Sequence, residues 1–318
     1  MKLFVSRPLP DPVLQAARAE FDVTLRASNA PLSRAEMIEA LMGYDIVLPT
    51  LGDLFKADVF NACPTPRARL LANFGVGYNH IDVDAARAAG IQVSNTPGAV
   101  TDATADIALT LMLMSARRAG EGERMLRAGR WRGWHPTQLL GLHLSGKRLG
   151  IIGMGRIGQA IARRAQFGFG MAVHYFTRTP RSLPDLPGAT AESDLHTMLG
   201  AVDMVVIAVP ASPQTHHLIG APELAAMQPH AHLVNIARGD IVDEAALVAA
   251  LDAGRIAGAG LDVYEFEPKV PQALIARENV VLLPHLGTAA LEVRTQMGLM
   301  AVENAIAFKR GEDLPNGV

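Results

Sequence analysis

The sequence predicts an α/β protein built from two successive units, each a parallel sheet covered on both faces by helices. Three observations predict it. Short apolar runs alternate with helical patterns over most of the chain, and strands that alternate with helices imply parallel sheets. The run Asn95-Thr96-Pro97-Gly98 interrupts the alternation with strong loop punctuation. A length of 318 residues exceeds one ordinary core and fits two domains of about 100–200 residues each.

In the first unit, Lys2–Ser6 is strand-like and Asp11–Ala19 is a short helix. Phe21–Leu25, Ile46–Pro49, Leu70–Phe74 and Ile91–Ser94 are further apolar runs of strand length. Between them lie the helical pattern Ser33–Met42, with Ser33 as N-cap, and Asp84–Ala89, closed by Gly90. After Pro97–Gly98 a long Ala-, Leu- and Met-rich helix is expected from Thr101 to Arg127. Six strands follow: Arg148–Ile152, Ala172–Phe176, Met204–Val209, His232–Ile236, Gly258–Val263 and Val280–Leu283. Several are apolar on both parities, as buried parallel strands are. A closing helix, Ala289–Arg310, comes after the last strand and can pack back on the first unit. The expected domains are therefore 1–98 plus 289–318, discontinuous and substrate-binding, and 99–288, dinucleotide-binding. The expected fold is two Rossmann/flavodoxin-like doubly wound domains with a cleft between them, hinged near Pro97–Gly98 and Pro284–Thr288.

Composition narrows the function classes. Hydrophobic residues make up 49% and charged residues 19%, which suits a core-forming chain and excludes a disordered one. A net charge of -2 supplies no general field for nucleic acid or acidic membranes. Cys63 is the only cysteine, so neither an intramolecular disulfide nor a thiolate metal cluster can form, which suits a reducing compartment. The N-terminal apolar run is short and interrupted by proline, unlike a signal peptide. No stretch approaches the roughly 20 apolar residues that span a bilayer. The expectation is a cytoplasmic protein without nucleic-acid or membrane partners. No metal is expected: the ten histidines form no set backed by acids at ligand spacing, and His216 and His217 would point apart in a strand.

The segment Gly153-Met154-Gly155-Arg156-Ile157-Gly158 has the spacing Gly-x-Gly-x-x-Gly. Alone this is a weak signal. Here an apolar strand precedes it and the helical run Arg156–Phe167 follows. Gly153 permits the tight turn, Gly155 lets the backbone approach a pyrophosphate, and Gly158 allows close helix–strand packing. The helix N-terminus offers free N–H groups to the phosphates. About 20 residues on, such folds place an acid on the ribose 2′-OH. The stretch His174–Arg181 contains none. Thr177, Arg178, Thr179 and Arg181 instead suit a 2′-phosphate, so NADPH is expected over NADH; a solvated basic loop is the plainer alternative.

Three late segments carry chemistry at successive strand ends, where ligands bind in open α/β sheets. Val234–Asp240 contains Arg238, Leu261–Pro268 contains Glu267, and Leu283–Thr288 contains His285. Arginine can bind a carboxylate and polarise a keto oxygen. Histidine can protonate that oxygen as hydride reaches the carbon, and a carboxylate beside the imidazole stabilises its protonated form and orients the ring.

These motifs, with Asn73-Phe74-Gly75-Val76-Gly77-Tyr78-Asn79-His80-Ile81-Asp82, make the chain resemble the D-isomer-specific 2-hydroxyacid dehydrogenase family over nearly its whole length. Trp134-His135-Pro136, Gly146-Lys147-Arg148-Leu149-Gly150 and the arginines after Tyr175 make it most similar to the glyoxylate/hydroxypyruvate reductase branch. The resemblance implies Arg238, Glu267 and His285 as catalytic residues, and Val76 and Gly77 N–H groups holding the substrate carboxylate with Arg238. It places Asp262 near the nicotinamide amide. It adds Val209, Pro210, Thr215, Ile236, Ala237 and Gly287, with Arg156 and Ile157 of the glycine turn, to the cofactor-binding set. The segment after His285 reads Leu-Gly-Thr-Ala-Ala where Ile-Gly-Ser-Ala-Thr is commoner. Leu51, Trp134 and Gln138 are candidates for selecting substrate size. The implied reaction is reduction of glyoxylate or hydroxypyruvate. Apolar residues of Thr101–Arg127 exceed what one face of a surface helix needs, so a homodimer built largely on this helix and the following arm Trp131–Leu142 is expected. Two alternatives stay open: the same fold acting on phosphite, formate or another 2-hydroxy acid, and a nucleotide-sensing corepressor-like binding protein.

Overall fold

The computed structural model describes residues 1–179 and 181–318. The chain divides into two compact units, Met1–Val100 with Thr288–Val318, and Thr101–Gly287.

In the first unit, β1 (Lys2–Val5), β2 (Asp22–Leu25), β3 (Ile46–Leu48), β4 (Leu70–Ala72) and β5 (Gln92–Ser94) form one sheet. It is wholly parallel, in the order β2-β1-β3-β4-β5. That is the flavodoxin-like doubly wound order. Every residue of β3 and β4 is buried, which is why their sequences are unbroken apolar runs. One face packs Leu3, Val5, Ile46 and Leu70 against Val13, Leu14, Ala301 and Ala305 of the helices Asp11–Glu20 and Leu291–Arg310. The other buries Leu41, Val47, Phe55 and Leu71. The helix Arg34–Gly43 starts at Ser33 with a reciprocal capping box to Glu36, satisfying two otherwise orphan N–H groups. A short helix at Ala57–Asn61 was not expected from the sequence.

In the second unit, β6 (Arg148–Ile152), β7 (Ala172–Phe176), β8 (Thr190–Glu192), β9 (Met204–Ile207), β10 (His232–Asn235), β11 (Gly258–Leu261) and β12 (Val280–Leu282) form a parallel sheet. Its order is β12-β11-β10-β9-β6-β7-β8. The expected six strands are thus seven. The extra one, β8, is a short edge strand, mostly exposed and with a single apolar residue, so it carries no apolar run. The chain direction across the sheet reverses between β6 and β9, the switch point where ligands bind in such folds.

The expected continuous helix Thr101–Arg127 is two helices, Thr101–Ala116 and Ala119–Arg127. The break sits at Arg118, whose φ is 52°. Its cause is tertiary. The Leu142 N–H takes the Ala116 carbonyl at 2.8 Å, and Gly141 passes so close that a Cβ there would lie 2.2 Å from that oxygen. The apolar excess of the first helix is used inside its own unit, with Leu111 and Met112 fully buried in the core around β6 and β9. Among the described residues, no helix is long and apolar enough to cross a membrane.

Candidate active site

The glycine turn follows β6 at the switch point. Gly153 has φ +98°, and a Cβ on it would lie 2.8 Å from Ala208 O. A Cβ on Gly158 would lie 2.1 Å from Gly153 O, whereas at Gly155 it would meet nothing within 4 Å. Two glycines therefore allow the turn to close on itself, and the third leaves open space above the backbone. The helix Arg156–Phe169 starts at Gly155 without a side-chain cap, so its first N–H groups are left for a ligand. These residues fit a dinucleotide pyrophosphate. Ile157 packs against the core beneath the turn, and Arg156 is exposed beside it.

Val209 and Pro210 follow β9, next to β6. Thr215 braces their loop, its hydroxyl donating to Pro210 O at 2.8 Å. Beyond β10, Ile236 and Ala237 are buried. Beyond β7, Thr177 is half-buried and Arg178, Thr179 and Arg181 are exposed. The Tyr175 hydroxyl donates to Arg181 O at 3.4 Å. Pro180 lies outside the described residues.

Arg238, Glu267 and His285 follow β10, β11 and β12, which are neighbours in the sheet. The buried Asn235 accepts from Ala237 N at 3.0 Å and donates to Arg238 O at 2.8 Å, fixing the turn that carries the guanidinium. Gly239 then presses against the next segment: a Cβ there would lie 1.8 Å from Tyr264 C. Only glycine lets the Arg238 turn approach the Glu267 loop this closely. Arg238 is half-buried; enclosure pulls its pKa down, opposed by Glu267 and Asp240.

His285 Nδ1 lies 2.9 Å from one Glu267 oxygen, and the other accepts the Tyr264 N–H at 3.0 Å. Burial alone would raise the Glu267 carboxyl. The His285 hydrogen bond and charge, the Tyr264 N–H and Arg238 outweigh it and hold the carboxyl below its ordinary value. His285 has φ +55°, a conformation that costs a non-glycine residue on the order of 1–3 kcal/mol and persists where surroundings enforce it. The enforcer is Asp262, which is buried. Its backbone O accepts from His285 N at 2.9 Å, and its carboxylate from Leu286 N at 2.6 Å and Gly287 N at 2.8 Å. Burial raises the Asp262 carboxyl against those N–H groups and His285. The Tyr264 hydroxyl donates to Leu283 O at 2.9 Å, tying the loop after β11 to the end of β12. Sequence reasoning missed this holding of the His285 turn by Asp262 and Tyr264. Both residues stand in the Leu261–Pro268 segment singled out from the sequence, but nothing local shows where their side chains reach.

In the first unit, Val76 and Gly77 lie on the turn after β4, with Val76 exposed and Gly77 half-buried. Leu51 is exposed on the turn after β3. In the second unit, Trp134 is exposed and Gln138 accepts from Trp131 Nε1 at 3.4 Å.

The expected divergence of His216 and His217 is overturned. They occupy a turn, not a strand, with His217 at φ 48°. Their rings stack with centroids 4.0 Å apart. His217 Nε2 lies 3.1 Å from a Glu265 oxygen, and the ligand atoms of all three residues fall within 4.8 Å of one another. The expectation that no histidine pair is backed by an acid is overturned with it, because Glu265 stands beside both rings.

Comparison with known proteins agrees with this architecture. Residues 109–287 match the family model described as D-isomer specific 2-hydroxyacid dehydrogenase, NAD binding domain. The chain is 42% identical to a glyoxylate reductase of Thermococcus gammatolerans over 318 residues, covering 99% of this chain and 94% of that protein. It is 38% identical to a glycerate dehydrogenase of Hyphomicrobium methylovorum, covering 98% and 97%. The crystal structure of an NADPH-dependent glyoxylate/hydroxypyruvate reductase from Sinorhizobium meliloti, in complex with NADP and malonate, superposes with a TM-score of 0.88 at 37% identity, covering 100% and 96%. With the glycine turn at the switch point and the histidine–carboxylate pair beyond β11 and β12, the chain belongs to the D-isomer specific 2-hydroxyacid dehydrogenases, oxidoreductases with a nicotinamide cofactor.

Proposed function

We propose that this chain is an NADPH-dependent reductase of small 2-keto acids, glyoxylate and hydroxypyruvate foremost. The observation that carries the reading is the His285–Glu267 pair, 2.9 Å apart, close enough to Arg238 that its charge is felt at the carboxylate. Bound NADPH supplies the hydride. Arg238, always charged and fork-shaped, binds the substrate carboxylate and draws electron density toward the keto oxygen. His285 turns Nδ1 to Glu267 and so leaves Nε2 to deliver a proton to that oxygen. Glu267 favours the protonated ring and fixes its orientation. Asp262 acts by holding the His285 turn and stands near the nicotinamide. The N–H groups of Val76 and Gly77 take the substrate carboxylate. Thr177, Arg178, Thr179 and Arg181 face the 2′-phosphate, since none of the four carries the acid that would repel it. The names of the Thermococcus and Sinorhizobium relatives support the substrate class, and the latter's NADP complex supports the cofactor.

A steady-state comparison of glyoxylate and hydroxypyruvate with bulkier 2-keto acids, each with NADPH and NADH, tests the reading. The two small acids with NADPH give the highest kcat/KM. A preference for NADH, or for bulky substrates, contradicts it.

A further inference from the structure

The turn Gly75-Val76-Gly77 has an arrangement that its glycines do not explain. Each of its three carbonyl oxygens is held by a named donor of the first unit. Gly75 O accepts from Asn73 Nδ2 at 3.0 Å and from Thr96 N at 3.1 Å. Val76 O accepts from Asn95 Nδ2 at 2.9 Å. Gly77 O accepts from Asn73 Nδ2 at 3.1 Å. Asn73 is fully buried, and its remaining oxygen lies 3.0 Å from Nε2 of the buried His80. Because the amide nitrogen of Asn73 must face two carbonyl oxygens, its Oδ1 must be the acceptor. The His80 ring therefore carries its proton on Nε2.

In a planar peptide the N–H points opposite to the C=O of the same unit. Tying the Gly75 and Val76 carbonyls inward therefore turns the Val76 and Gly77 N–H groups outward. Among the described residues, neither N–H has a protein acceptor. Successive outward N–H groups make an anion-binding concavity.

We propose that Asn73, Asn95 and His80 are positioning residues that clamp the three carbonyls of this turn and so aim the Val76 and Gly77 N–H groups at the substrate carboxylate. The proposal rests on the reading that this turn takes the carboxylate. Asn73 is the central member, because one amide group spans two carbonyls and receives the His80 proton. Asn95 holds the middle carbonyl. His80 fixes which way the Asn73 amide faces.

The test uses the full chain and the variants Asn73→Asp, Asn95→Ala, His80→Leu and His80→Gln. Asn73→Asp sets an oxygen against two carbonyl oxygens, so the turn must rotate. Four readings are taken: KM and kcat for glyoxylate, NADPH binding without substrate, thermal midpoint, and the Val76 and Gly77 amide NMR signals during an oxalate titration. The loss of one or two neutral hydrogen bonds predicts a KM rise of about tenfold to a hundredfold in Asn73→Asp and a few-fold to tenfold in Asn95→Ala. NADPH binding stays within about twofold, as expected for an independent site. His80→Leu raises KM, and His80→Gln, whose amide can donate to Asn73, restores it. If Asn73→Asp does not fold, Asn95→Ala and the His80 pair carry the same test. Unchanged KM in the folded variants, or equal loss of NADPH binding, overturns the clamp. Failure of the proposed activity is distinguishable. If the parent reduces no 2-keto acid but oxalate moves the Val76 and Gly77 signals in the parent and not in Asn73→Asp, the clamp stands and the activity falls. If the parent is active and oxalate leaves those signals unmoved, the clamp falls.

Discussion

Replacing Glu267 by Gln keeps the side chain's shape and removes its charge. One carboxylate oxygen accepts the Tyr264 N–H and the other meets His285 Nδ1; glutamine has a single acceptor oxygen. When that oxygen stays with the backbone N–H, the amide NH₂ faces Nδ1 and can donate only to an unprotonated nitrogen. The variant therefore disfavours the imidazolium. A hydrogen bond to a charged group contributes about 1.5–3 kcal/mol, equal to about one to two pH units. The two side chains keep 28% and 31% of their exposure, and solvent screening favours the lower half of that range. The sign follows from the proton's role. The Glu267 carboxyl sits below its ordinary value, so it stays ionised through neutral pH. Reduction draws a proton from His285 and fails as pH rises. In the variant it fails at a pH lower by about one unit, and at the acid end the two enzymes converge. The assay is kcat/KM for glyoxylate across about pH 5–10 with saturating NADPH. An alkaline limb that does not move refutes the pairing.

Arg238→Lys keeps the charge and loses the planar fork, so KM rises and kcat falls together; normal kinetics exclude the role given to the guanidinium. Arg178→Ala weakens NADPH roughly tenfold to a hundredfold, with the exposed site favouring the lower value, and leaves NADH nearly unchanged; equal losses with both cofactors exclude 2′-phosphate recognition. The helix Ala119–Arg127 and the arm after it leave Leu126, Trp131, Trp134 and Leu140 exposed by half or more, a concentration of apolar surface that favours self-association. Light scattering at micromolar concentration is expected to give a homodimer, and a monomer there contradicts it.

Much of this was legible because parallel strands buried on both faces must be apolar throughout. β3, β4 and β9 therefore announce themselves, whereas the exposed edge strand β8 does not. The nearness of Arg238, Glu267 and His285 followed from strand ends alone, because β10, β11 and β12 are sheet neighbours. The helix break at Arg118 was hidden because the nearby glycines, Gly120 and Gly122, lie inside the second helix and not at the break; the passing Gly141–Leu142 segment imposes it. The stacked His216–His217 turn was misread for a related reason, since a left-handed residue can reverse the alternation expected of a strand. The Asp262 contacts to Leu286 and Gly287 span more than twenty residues and exist only once two strands are paired.

The central claim is tested most directly by following the absorbance of reduced nicotinamide when glyoxylate is added to NADPH with the parent chain and with His285→Ala. The account predicts prompt consumption of NADPH by the parent and a kcat lower by about 10²–10⁴-fold in the variant, the scale of general acid–base catalysis. No consumption by the parent, or equal rates in both, would contradict it.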